Sequence, residues 1–238
     1  MEHRAYVGCA GWSLPREEQE RFPSEGTHLQ RYAARFPAVE INSSFYRPHR
    51  PSTYARWAES VPAEFRFSVK VPKAITHTAR LTDTEALLDA FLAETASLGA
   101  KLGCLLIQLP PSLALAEERA AAFFRTLRER HDGAVACEPR HPTWLTEPAE
   151  ALLAEWRIAR VAADPARAER DAAPGGWPGL VYHRLHGSPR IYYSEYPPDY
   201  LAALARSIRD SAVPTWCIFD NTAAGAATAN ALDVLDRL

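Results

Sequence analysis

The chain contains no run of about 18 consecutive apolar residues, which excludes a hydrophobic membrane-spanning helix. Its first residues, MEHRAYVGCAG, lack the apolar stretch of a secretory signal, so a cytoplasmic protein with no membrane partner is expected. Cysteine is scarce and unpaired in spacing: Cys9, Cys104, Cys137 and Cys217 form no CxxC pair and each falls in an apolar run. Buried free thiols in a reducing compartment are expected. Charge of one sign is also missing. The net charge of −2 and pI near 6.5 provide no global positive field to hold a long polyanion by counterion release. No phosphate-binding or dinucleotide glycine fingerprint is present, nor GxSxG, HxH or HExxH, so no nucleotide cofactor is expected and none of the common zinc signatures applies. No repeat or low-complexity segment stands out.

What is present is an ordinary globular composition, 47% hydrophobic and 24% charged over 238 residues, within the range that α/β barrels use for one domain. Apolar or β-branched runs recur roughly every 30 residues, the length of a strand, turn, helix and turn in a parallel α/β protein. Eight such runs are expected strands: Ala5 to Gly11, Ala38 to Ser44, Phe65 to Val71, Leu102 to Gln108, Ala134 to Glu138, Ile158 to Ala163, Leu180 to His186 and Thr215 to Asp220. The clearest helix lies in TDTEALLDAFLAETASLG, with Leu87, Leu88, Phe91, Leu92 and Leu98 at three-to-four spacing; Thr82 and Glu85 are placed for a capping box and Gly99 for a left-handed stop. Further helices are expected after Thr27, Ser52, Leu115, Glu147, Pro198 and Thr222. The gap DPARAERDAAPGGWPG, with Pro165, Pro174 and Pro178, has little periodicity, so the helix between strands six and seven is expected to be short or missing. The fold class is therefore a (β/α) TIM-like barrel of seven or eight parallel strands, in one domain covering 1–238.

Alternate residues of a strand share a face, and the polar residues near the strand ends share a parity. They are Glu40, Asn42 and Ser44; Ser68 and Lys70; Glu138, then Arg140; and Arg184 and His186, against apolar Val39 and Ile41, Phe67 and Val69, Val135 and Cys137, Val181 and Leu185. The outer face of a helix-wrapped sheet is apolar, so this polar set points inward, toward a wet mouth at the carboxyl ends of the strands. The plainer alternative for two of them is an ion pair between Glu40 and Lys70 that merely closes the barrel.

Several of these segments together resemble a known family, the YecE-like proteins or domain of unknown function 72. They are GCAGWS (Gly8 to Ser13), VEINSSFYR (Val39 to Arg47), FRFSVKVPKAITH (Phe65 to His77), LLIQLPPS (Leu105 to Ser112), CEPRHPTW (Cys137 to Trp144), RLHG (Arg184 to Gly187) and FDNT (Phe219 to Thr222). The resemblance covers nearly the whole chain. It implies a TIM-barrel-like fold and carries no activity with it. Two departures fall at the expected mouth: LPREEQERF follows the GW pair where aromatic spacing is usual, and Asp220 stands where asparagine is more frequent.

The chemistry expected of the mouth is acid/base. Glu40 and Glu138 are the candidate proton carriers, since enclosed carboxylates have raised pKa values unless a cation sits beside them; His186 and Lys70 complete the candidate catalytic set. A carboxylate next to Lys70 would keep it protonated, which counts against a Schiff base. Trp12, Asn42, Phe45, Tyr46, Gln108, Arg140, Trp144, Arg184, Asp220 and Asn221 are the candidate substrate-binding residues, with Asn221 a plausible cap of the last helix and Thr222 a further donor. Tyr192 and Tyr193 are aromatic candidates in the loop after strand seven. A divalent metal on Glu40, Glu138, Asp164, His186 and Asp220 is the weaker possibility, so no metal site is assigned. An enzyme acting on a small anionic, phosphorylated or sugar-like substrate is favoured. The alternatives are a metal-dependent phosphodiester-handling or nucleic-acid-binding protein and a non-catalytic binder of small ligands.

Overall fold

A computed structural model describes residues 5–167 and 169–238. Among these residues ten strands and seven α-helices mostly alternate, in the order β1 (Ala5–Cys9), α1 (His28–Ala33), β2 (Ala38–Ile41), α2 (Pro51–Glu59), β3 (Arg66–Lys70), α3 (Glu85–Thr95), β4 (Leu102–Gln108), α4 (Glu117–Arg128), β5 (Val135–Glu138) and α5 (Glu147–Glu155). Then come β6 (Ala159–Arg160), β7 (Ala162–Asp164), β8 (Gly175–Gly176), β9 (Val181–Leu185), α6 (Pro198–Asp210), β10 (Thr215–Phe219) and α7 (Ala226–Leu235). No helix of the described residues is long and apolar enough to cross a membrane.

The strands form two sheets, one of four strands in the order β1-β10-β9-β7 and one of six in the order β2-β3-β4-β5-β6-β8. Every pairing is parallel except β6 with β8. The fold is thus mixed α/β with parallel sheets. Two contacts link the sheets. Ala10 bridges Glu40, the Gly11 amide donates to the Glu40 carbonyl at 2.9 Å, and the chain passes from β6 to β7 through Val161 alone. Gly8 makes the first junction possible, because a Cβ there would lie 2.1 Å from the Ala38 carbonyl oxygen.

Burial explains the alternation. One core cluster packs Val7, Val39, Ile41, Phe67, Val69, Leu105, Ile107, Val135 and Phe219 against helix residues such as Phe91, Phe124, Leu153 and Ile208. The other, of opposite parity, is made of Ala38, Cys104, Leu106, Ala136, Ala159, Val161, Leu180, Tyr182, Trp216 and Ile218, with no helix contributing. Strand register carries this second face upward into polar residues: Ala38 leads to Glu40, Ala136 to Glu138, Tyr182 to Arg184. Both faces are therefore buried, as a sheet wrapped by helices requires.

Several sequence expectations need correction. Strand two stops at Ile41, and Ser43–Phe45 turn as a 3₁₀ helix, which takes Asn42 and Ser44 off the strand. Strand six is two short strands in different sheets. The short or missing helix expected between strands six and seven is borne out: among the described residues between Asp164 and Gly175 the helical structure is one 3₁₀ turn, Glu169–Ala172, and the antiparallel β8 supplies partners to β6. Arg160, on the outer face of β6, is held there by Glu150 of α5 at 2.5 Å. The Thr82 capping box does not form: α3 starts one residue after Thr84, whose side chain makes no cap bond. A complete capping box occurs instead at Thr27, which exchanges side-chain bonds with Gln30. The last helix begins at Ala226 behind Gly225, so Asn221 does not cap it. All four cysteines are buried and free, and burial pushes the Cys9 thiol up to about 12.

Candidate functional site

Arg184, at the end of β9, is the hub of the polar face. Its Nη2 donates to Glu40 Oε1 at 2.8 Å and its Nε to Glu40 Oε2 at 3.0 Å, a two-point grip. Its Nη1 reaches Glu138 Oε2 at 3.2 Å, and Nη2 lies 3.1 Å from Asp220 Oδ2. Tyr182, two residues earlier on the same face, donates to Glu40 Oε2 at 3.0 Å and shares a 2.9 Å bond with Ser68. Glu40, Glu138 and Arg184 are essentially sealed from solvent. Burial alone disfavours the Arg184 charge, yet Asp220, Glu40 and Glu138 together outweigh it and tighten the guanidinium's hold on its proton.

His186 stands between two carboxylates. Glu138 Oε1 is 2.8 Å from Nε2 and Asp220 Oδ2 is 2.9 Å from Nδ1; Arg140 Nη2 is also 2.8 Å from Nε2 and pairs with Glu138. Each ring nitrogen thus faces a carboxylate, and which nitrogen donates depends on the tautomer. Tyr192, in the left-handed region at φ 72°, closes the ring's other side edge-on with centroids 6.0 Å apart. Gly187, at φ 92°, lets the chain turn immediately after His186.

The carboxylates are anions rather than acids. Burial pushes Glu138 up, but His186, Arg140 and Arg184 overcome it and hold the carboxyl well below the usual range. Asp220 is lowered in the same way, burial being overcome by Arg184 and then His186. Glu138 is thus the exception the sequence reading allowed, an enclosed carboxylate with cations beside it. The expected Glu40–Lys70 pair is corrected, since Glu40 is taken by Arg184 and Tyr182. Lys70 instead places Nζ over the Phe45 ring, 4.2 Å from its centroid. Burial, reinforced by Arg184, brings the Lys70 ammonium down to about 8 against the opposing pull of Glu40, Glu138 and Asp220.

Of the remaining candidates, Gln108 joins this cluster, whereas Trp12, Asn42, Phe45 and Tyr46 line two hollows. Gln108 Nε2 donates to Glu138 Oε2 at 3.1 Å. Trp12 and Asn42 line a hollow of about 370 Å³ beyond the ends of β1 and β2, with Ala10, Gly11 and Ser13. Trp12 packs edge-on against Trp57, and Asn42 Oδ1 is buried with no hydrogen-bond partner among the described residues. Phe45 and Tyr46 border a second hollow of about 410 Å³, largely apolar, with Pro72, Ile75, Leu87 and Phe91. Tyr46 is 74% exposed.

Other candidates are placed elsewhere. Trp144 is buried and donates Nε1–H to the Leu113 carbonyl at 3.0 Å, a packing role. Asn221 is buried and bonds Ser194 O and Asn230 Oδ1, fastening the loop after β9 to α7. Asp164 pairs across from Leu185, on the outward parity, and accepts from Tyr196 at 2.9 Å. Tyr193 stacks on Arg190. Among the described residues no group of three or more His, Cys, Asp or Glu side chains is arranged to hold a metal ion.

Tyr182 and the Glu150–Arg160 pair were not singled out in the sequence. Tyr182 was within reach, because the parity that selects Arg184 and His186 selects it one step earlier. Arg160 carried no such signal, being a charge on the face where apolar residues are expected.

Comparison with known proteins agrees with the architecture. YecE of Escherichia coli K12 is 33% identical over 105 residues, which are 44% of this chain and 37% of YecE, so the match spans well under half of that relative. A DUF72 family protein from Thermotoga maritima superposes with a TM-score of 0.80 at 24% identity, covering 98% of both chains. One from Enterococcus faecalis superposes equally well at 23% identity, covering 98% of this chain and 95% of its own. The family description "Protein of unknown function DUF72" matches residues 6–238, and the chain belongs to that family.

Proposed function

We propose that the two sheets are halves of one TIM-like barrel built by the whole chain, and that the strand-end cluster is an enzyme active site performing acid/base chemistry on a small anionic substrate. The barrel reading is supported by the Ala10–Glu40 bridge, the single-residue passage between β6 and β7, and a core cluster made of strand and flanking residues alone. The chemical reading rests on one observation: His186 is held between Glu138 and Asp220 with Arg140 at its edge. Two ionised carboxylates face its two ring nitrogens and fix its orientation, the arrangement of a positioned acid/base group.

The anion preference rests on the rim. The Arg184 charge is consumed by three carboxylates, whereas the Arg140 side chain retains 11% exposure and Lys70 enters no ion pair among the described residues. A phosphate or carboxylate on the substrate would meet those two cations. A thermal-shift series with inorganic phosphate and simple sugar phosphates tests this. Stabilisation of the wild type that disappears in Arg140→Ala is expected; an identical response in the variant rejects the anion site. Binding without turnover would support the non-catalytic reading instead.

A further inference from the structure

The chain contains 27 lysines and arginines, of which three are lysine: Lys70, Lys73 and Lys101. Arginine serves the charge pairs, as at Arg140, Arg160, Arg184 and Arg237. Lys101 has a structural task, donating to the carbonyls of Ala58 and Val61, and Lys73 is exposed. Lys70 is the one buried at a strand end beside the acid/base cluster. It enters none of the ion pairs found among the described residues, and its Nζ is steadied over the Phe45 face. An arginine there could hold the same charge but could never release its proton, so the position uses the property that separates the two residue types.

We propose that Lys70 is a nucleophile that forms an imine with the carbonyl carbon of an aldehyde or ketone substrate, an inference that rests on the acid/base reading of the cluster and names its substrate class. The free amine attacks the carbonyl carbon, and the C=O electron pair passes to oxygen, which takes a proton. The nitrogen gives up one proton to the cluster, the hydroxyl leaves with another as water, and the C=N bond forms. No oxidant or reductant enters the step. The proton transfers are assigned to His186, held between Glu138 and Asp220, whose charges act on Lys70, and the iminium charge takes the ammonium's place over Phe45. Burial lowers the Lys70 amine to about 8, so about one molecule in ten carries the free amine at pH 7, against fewer than one in a thousand for an ordinary lysine. The groups that set this value are Arg184, Glu40, Glu138 and Asp220.

The test uses the full chain with glycolaldehyde phosphate and cyanoborohydride at pH 7, followed by peptide mass mapping. Exposed Lys73 is the internal reference. Reductive labelling at Lys70 at least tenfold faster than at Lys73, saturable in the aldehyde and absent in Lys70→Arg, is expected. Equal or faster labelling at Lys73 overturns the inference. If phosphate still stabilises the wild type and not Arg140→Ala while Lys70 stays unlabelled, the imine fails and the anion site stands. If neither response occurs, both fail.

Discussion

Arg184 and Glu40 lie 144 residues apart in sequence and meet through two parallel hydrogen bonds of 2.8 and 3.0 Å. They belong to different sheets, so the pair ties one to the other. With both charges removed from water, taking away Arg184 leaves Glu40 without its cation, while taking away Glu40 leaves Arg184 with Glu138 and Asp220. Arg184→Met is expected to lose about 3 to 5 kcal/mol of stability in denaturant unfolding. Glu40→Gln combined with Arg184→Met is expected to lose much less than the sum of the two single losses. Additive losses in that cycle would mean the pair is not coupled.

Acid sensitivity follows from the ionised carboxylates. A carboxyl whose folded pKa lies below its unfolded value stabilises the fold above the unfolded pKa, about 4.3 for glutamate, and loses that contribution as pH falls. Glu138 and Asp220 are both of this kind. Wild-type stability is expected to decline steeply below about pH 4.3. Glu138→Gln should be less stable at neutral pH, with a shallower acid limb. Parallel pH profiles for the two proteins would contradict this.

Much of this layout was legible in the residues, and the reason is geometric. A strand has a period of two, so Glu40, Lys70, Glu138 and Arg184 could be assigned to one face without any knowledge of what lay opposite them. Partner choice was not legible. Lys70 and Glu40 sit on adjacent strands, and only the tertiary arrangement shows that Arg184, from the other sheet, takes Glu40 away. The same limit applies to Trp144 and Asn221. Each lies beyond a strand end, where side chains of a binding mouth and side chains that fasten a loop have identical composition. The Thr82 box failed because Thr84, two residues later, takes the position before the helix.

Gly187 connects backbone conformation to the site. At φ 92° it occupies a region that other residues reach only with strain, and a Cβ there would lie 2.9 Å from the Ser194 carbonyl oxygen and 3.1 Å from Asn221 Cβ. Gly187→Ala is expected to cost about 1 to 3 kcal/mol and to disturb the neighbouring His186. Thermal unfolding together with the phosphate response of the same variant checks both effects. A variant as stable as the wild type would show that the turn relaxes freely.

Lys70 separates the demands of stability from those of chemistry. Its folded pKa, about 8, lies below the unfolded value, so below pH 8 the fold carries a buried charge that it would hold more cheaply without its proton. The sign is opposite to that of a salt-bridged lysine: wild-type stability rises as pH increases from about 8 toward about 10.4, because the unfolded chain binds more protons over that window. Lys70→Met removes the charge while keeping a long apolar side chain against Phe45. It is expected to be more stable than wild type by about 1 to 3 kcal/mol at pH 7, with the advantage fading above pH 8. Urea unfolding at pH 7 and at pH 10 measures the difference. A site selected only for packing would not retain a residue that this substitution improves, so a stabilised variant argues that the amine is kept for what it does, and a destabilised one argues that Lys70 is structural.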